Sequence, residues 1–178
     1  MAKESADRNE FCMYNLSNLI KIKNENMSLN QVDRQILALL QQDASLSTAE
    51  IADKVGLSQS PCWRRIAKLE QDGYIKGKVA LLDEKQLGFD MLVYAHVRLS
   101  NHGRNHLSEF ESLIMSYDEV TECYTMAGTM DFMLRIISRG IEGYEQFVRD
   151  NLLNLEFVQE VHSNVTMTCV KRTTALPL

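Results

Sequence analysis

The chain has 178 residues, enough for one ordinary domain or two small ones, and its 45% hydrophobic and 24% charged residues suit a folded globular protein better than a disordered one. No run approaches the ~18 consecutive apolar residues of a membrane span, and the N-terminus lacks the basic flank and apolar core of a secretory signal. Cys12, Cys62, Cys123 and Cys169 form no C-x-x-C pair, which argues against a zinc ribbon or a disulfide framework and for reduced thiols in a cytoplasm.

The net charge of −5 is unevenly spread. Residues 29–82 carry seven basic and six acidic groups, whereas 83–178 carry eight and fourteen. Within Ser58–Lys78, five basic residues face two acidic ones, so a local positive field sits on an acidic chain.

Residues 1–28 show no sustained periodicity and are expected to form a flexible leader. Met27-Ser28-Leu29 reads as a natural start, and deleting 1–26 is expected to leave the fold intact. From there Val32, Ile36, Leu37 and Leu40 share one helical face, predicting a helix over about 30–42. Ser47-Thr48-Ala49-Glu50 fits a capping box, and the following helix buries Ile51, Ala52 and Val55 before Gly56. Either Ser58 or Ser60 can cap a third helix, where Pro61 is tolerated in the first turn. Cys62, Ile66 and Leu69 form its inner face, and Gly73 ends it. Three helices with a short Gly-bearing turn form the helix-turn-helix plan, and the last helix presents Gln59, Ser60, Arg64, Arg65 and Lys68 outward.

Tyr74–Leu82 is predicted as a strand, with Lys76 and Lys78 on one side of it, and 83–90 as a polar connection. Beyond this boundary, period-two alternation predicts strands over about 92–99, 120–126, 132–138 and 158–171. Helical spacing predicts helices over about 104–116 and 141–154. The order strand–helix–strand–strand–helix–strand is the ferredoxin-like βαββαβ unit, with helices on one face of its sheet. The open face is expected to carry Val93, Ala95, Val165 and Met167, and to be covered by a second copy.

Leu29-Asn30-Gln31-Val32-Asp33-Arg34-Gln35-Ile36-Leu37 resembles the opening of proteins of the Lrp/AsnC (feast/famine) family of transcriptional regulators. Leu57-Ser58-Gln59-Ser60-Pro61-Cys62-Trp63-Arg64-Arg65-Ile66, with the exit Leu69-Glu70-Gln71-Asp72-Gly73-Tyr74-Ile75, is similar to their recognition helix. Ala127-Gly128-Thr129-Met130-Asp131 resembles the G-x-x-D turn of their effector domain, although Met130 stands where an aromatic is frequent. Thr173-Thr174-Ala175-Leu176-Pro177 resembles a common C-terminus, so the likeness spans about 29–178.

This resemblance implies an α+β protein: a winged-type helix-turn-helix at 29–73, a hinge strand and linker at 74–90, and a ferredoxin-like effector-binding and oligomerisation domain at 91–178. It implies a cytoplasmic, non-enzymatic regulator without metal or cofactor, binding roughly palindromic double-stranded DNA as a homodimer that assembles to tetramers or octamers. An amino-acid effector is implied between dimers, at Met126, Ala127, Gly128, Thr129, Asp131 and Ser163. Asp131 is the expected partner of a ligand ammonium or of a backbone amide.

On the DNA side, Ser58, Gln59 and Ser60 at the helix start can donate to phosphates or base edges. Arg64 and Arg65 are candidates for bidentate contact with guanine, but lie about 100° apart on the helix, so one of them is expected on phosphate. Lys68, Lys76 and Lys78 suit phosphate, while Trp63 is expected to pack rather than touch DNA. The rival reading is an enzyme resembling haem-pathway decarboxylases of the same architecture, which would need His and Arg converging on the sheet. The four histidines, His96, His102, His106 and His162, are scattered along the chain, and His102 and His106 lack a third metal ligand at suitable spacing.

Overall fold

The computed structural model describes residues 29–100 and 104–178; the leader and His102 lie outside them. The chain divides into two compact units, one of residues 29–81 with 171–178, the other of 82–170.

In the first unit three helices follow one another: α1 (Gln31–Gln42), α2 (Thr48–Val55) and α3 (Gln59–Gln71). The Asn30 side chain accepts from the Asp33 N–H and starts α1. The predicted capping box forms in full at α2: the Ser47 hydroxyl accepts from the Glu50 N–H, and the Glu50 carboxylate accepts from the Ser47 N–H. Gly56 closes α2 at φ 70°, a left-handed conformation that costs glycine least. Ile36, Leu37, Leu40, Ile51, Ala52, Cys62, Ile66 and Leu69 form the core of this unit.

The second unit runs β1 (Met91–Leu99), α4 (Arg104–Ile114), β2 (Val120–Thr125), β3 (Phe132–Ser138), α5 (Gly140–Asn151) and β4 (Val158–Val165). The antiparallel sheet has strand order β2-β3-β1-β4, the expected ferredoxin-like arrangement. Phe110 and Ile114 of α4 and Tyr144, Phe147 and Val148 of α5 pack on Val93, Ala95, Val97, Phe132, Leu134 and Ile136.

Four expectations are corrected. First, Tyr74–Leu82 forms no strand: apolar alternation needs a neighbouring strand to complete a ladder, and none of the described residues provides one. Ile75 packs back on the helical core while Val79, Leu81 and Leu82 are exposed. Second, β4 ends at Val165, where its pairing with Val93 of β1 ends. Third, residues 171–178 belong with the helical unit and not with the sheet domain.

The fourth concerns which face of the sheet is open. Val93 and Ala95 are fully buried, because the helices cover the apolar side. The open side instead carries Tyr94, His96 and Arg98 of β1, Glu160, His162 and Asn164 of β4, and Arg135 of β3, as their register requires. Arg135 is only 6% exposed there. Its guanidinium reaches Glu84 at 3.1 Å, Thr121 Oγ1 at 2.5 Å and Glu122 at 3.8 Å. The connection 83–90 is therefore held on the sheet domain. Asp90 adds a second tie by accepting from the Gly140 N–H at the start of α5, 2.8 Å away.

Candidate nucleic-acid interface and effector turn

On α3 the core direction is set by Cys62, Ile66 and Leu69. At about 100° per residue, Ser60, Arg64, Ala67, Lys68 and Gln71 point away from it, while Arg65 lies only about 60° from it. The structure follows this geometry. Arg64 and Lys68 are exposed, but Arg65 turns back to an ion pair with Asp33 of α1, Nη1 to Oδ1 2.8 Å. Arg65 thus ties α3 to α1, a contact not expected when it stood beside Arg64 as a candidate for guanine or phosphate. The Asp33 partner lies 32 positions away, so sequence spacing gave no sign of it, though the angle to the core did.

Ser58 is the N-cap of α3, but its side chain makes no capping hydrogen bond, and Pro61 has no N–H to offer. The first turn contains no acidic residue. The helix therefore begins with exposed amide donors at the positive end of its dipole, an arrangement suited to an anion. Trp63 is 61% exposed and does not pack in the core as expected. With Thr48, Gln59 and Ser60 it lines a shallow pocket of about 420 Å³ that sequence reasoning missed. Lys78 lies 3.6 Å from Glu70, and neither it nor Lys76 sits on a strand.

The other candidate site is the hairpin loop between β2 and β3, closed by the Met126 N–H donating to the Asp131 carbonyl at 2.8 Å. Met126, Ala127, Gly128 and Thr129 are exposed on it. Gly128 has φ 156° and open space where a side chain would stand, so backbone conformation rather than crowding favours glycine. Asp131 ties the loop to β1 twice. Its N–H donates to the Val97 carbonyl, 2.9 Å, and its Oδ2 accepts from the Leu99 N–H, 2.8 Å. The Leu99 N–H is a backbone-amide partner of the kind expected for it. Ser163 is not brought to this loop: it stands opposite Ala95 on β4, across β1, and accepts from the Tyr144 hydroxyl at 2.5 Å. Burial pushes the Tyr144 phenol up from its ordinary pKa, with the Ser163 contact working against it.

Two of the histidines that look scattered in sequence do meet. His96 faces His162 across β1 and β4, with Asn164 on the first and Glu160 on the second. His106 instead stacks on Phe157, 5.2 Å between centroids, with Glu109 at 3.8 Å. Among the described residues no group of three His, Cys, Asp or Glu side chains could hold a metal ion. Nor is any helix among them long and apolar enough to cross a membrane.

Residues 29–76 match the family model of the winged helix-turn-helix DNA-binding domain, and 92–176 that of the Lrp/AsnC ligand-binding domain. The transcriptional regulator AzlB of Bacillus subtilis is 35% identical over 150 residues, covering 84% of this chain and 96% of the relative. The chain belongs to the Lrp/AsnC family. Another relative in the family, the glutamate uptake regulatory protein of Zymomonas mobilis, is 36% identical over 150 residues, 84% of this chain and 91% of its own. Among solved Lrp/AsnC structures, an AsnC family regulator from Agrobacterium tumefaciens superposes with TM-score 0.80 at 38% identity, covering 84% of this chain and 97% of that one. A Neisseria meningitidis regulator solved as an L-Met complex gives TM-score 0.81 at 29% identity over the same shares. The names of these relatives are those of regulators, transcriptional ones for AzlB and the two solved structures.

Proposed function

We propose that this chain is a sequence-specific DNA-binding regulator of the cytoplasm, and not an enzyme, whose α3 enters the major groove of double-stranded DNA. The observation that carries this reading is the outward face of α3, where Ser60, Arg64 and Lys68 are exposed with no carboxylate among them, and Trp63 stands exposed at its side. A groove about 12 Å wide admits such a helix, and a guanidinium can bond both acceptors of a guanine. Arg64 takes that role. Ser58, Gln59 and Ser60 meet phosphate at the helix start, with Lys68, Lys76 and Lys78 along the backbone. A homodimer would read a roughly palindromic site whose half-sites lie about one helical turn, ~34 Å, or a multiple apart.

The exposed apolar residues Val79, Leu81, Leu82, Met167 and Val170 support self-assembly, as a dimer extending to a tetramer or octamer. A small effector, an amino acid, binds at Met126, Ala127, Gly128 and Thr129, with Asp131 holding the turn in shape. The ligand-binding family model and the L-Met complex of the Neisseria relative support this.

A selection of genomic fragments by the full chain, followed by titration against salt, tests the reading. Enrichment of one palindromic motif and an affinity falling steeply with salt are expected. Failure to retain any fragment above background would overturn it. Calorimetry across the twenty amino acids tests the effector, and light scattering showing only a monomer at micromolar concentration would overturn the assembly.

A further inference from the structure

The polypeptide passes between its two units twice, at 81/82 and again at 170/171, where the C-terminal segment joins the helical unit. What holds that segment is specific. The Gln41 Nε2 donates to the Leu176 carbonyl at 2.9 Å, and the Leu176 N–H donates to the Gln41 Oε1 at 2.9 Å. In extended backbone the N–H and C=O of one residue point to the same side, so facing residues of an antiparallel pair exchange two hydrogen bonds. The Gln41 carboxamide stands in for that missing residue. Pro177 disfavours the helical region for Leu176, keeping it extended before docking. Thr173 Oγ1 accepts from the Ala175 N–H at 3.1 Å and turns the chain just ahead of it.

We propose that residues 171–178 are a releasable latch with Gln41 as its receptor, through which the sheet domain acts on the helix-turn-helix. The attachment is reversible in kind: Leu176 is 68% exposed, so at that residue two exposed hydrogen bonds do the holding and apolar burial adds little. The Gln41–Leu176 pair itself involves no charge, so the salt that weakens DNA binding leaves that pair in place. It acts on α1, the helix whose Asp33 fixes Arg65 of α3. Latched, α1 is held at its C-terminal end by a segment continuous with the sheet domain. Released, the segment no longer joins α1 to the end of the sheet domain. These two states are what an effector on the sheet domain can bias. The coupling, though not the latch itself, rests on the effector reading above.

The test compares the full-length protein with Gln41→Ala, a substitution that suits a helix and touches no proposed DNA contact. Amide exchange of Leu176 should accelerate by about tenfold or more in the variant while the Ile36 and Ile51 amides are unchanged. Equal Leu176 exchange in both proteins overturns the latch. The coupling is read as the change in DNA affinity on adding whichever amino acid gives heat with the wild type. Gln41→Ala should diminish that change by setting the affinity, with or without amino acid, to that of the released state. An undiminished change overturns the coupling. A wild type that shows no change with any amino acid overturns the effector reading and the coupling with it, whereas the latch is still decided by exchange.

Discussion

Replacing the two neighbouring arginines of α3 one at a time should separate a strut from a reader. Arg65 makes one charge-assisted hydrogen bond of 2.8 Å to Asp33, with side chains 38% and 18% exposed. Exposed pairs of this kind contribute ~0.2–1 kcal/mol, and the partial burial of Asp33 places this one near the top of that range. Arg65→Ala should therefore destabilise the helical unit by about 1 kcal/mol, which for a domain of this size lowers Tm by roughly 4–8 °C. Asp33→Ala should do nearly the same, and the double variant should cost less than the sum of the two. Base preference should survive in Arg65→Ala. Arg64 is exposed and on the outer face, so Arg64→Ala should leave Tm unchanged, lose about 1–3 kcal/mol of DNA affinity and relax preference at one position. Thermal melts of the four stability variants and binding titrations on a selected site decide the matter. If Arg65→Ala loses base preference while Arg64→Ala does not, and the cycle shows no coupling with Asp33, the reasoning fails.

Asp131→Ala should leave the Leu99 N–H without its acceptor and cost about 1–3 kcal/mol in denaturant unfolding, whereas Asp131→Asn, which keeps an acceptor oxygen, should cost less; equal losses would refute the assignment. A Cβ on Gly143 would stand 2.8 Å from Ser138 Oγ, so Gly143→Ala should not stabilise the wild type, yet in a Ser138→Ala background it should add about 1 kcal/mol of helix propensity, as chemical denaturation will show. The Ser47 hydroxyl and N–H hold the Glu50 carboxyl below the usual range. A folded pKa below the unfolded one gives stabilisation that is present above the unfolded value and is lost as pH falls through the folded one. Glu50→Gln should thus flatten the fall in stability below pH ~4.3, measured by melts at graded acidity.

Local signals carried much of this protein. The spacing of Ile36, Leu37 and Leu40, the Ser47–Glu50 capping box with Gly56, and the spacing of Cys62, Ile66 and Leu69 specify the three helices through interactions within a few residues, so they are legible in sequence. The βαββαβ order is legible for the same reason, since alternation and helical period are properties of each segment taken alone. Alternation in β1 divides its residues into two sets but does not say which set the helices cover. Only the packing of Phe110 and Phe147 decides that Val93 and Ala95 lie inside and His96 and Arg98 outside. Tertiary structure likewise decides that Arg65 belongs to Asp33, that Asp131 serves the Leu99 N–H and Ser163 serves Tyr144, and that the C-terminal segment docks on Gln41. Each of these is a contact between residues 19 to 135 positions apart, made by polar groups whose partners must be found in space. A strand at 74–82 also needed a partner in space, and there the residue pattern alone formed no ladder.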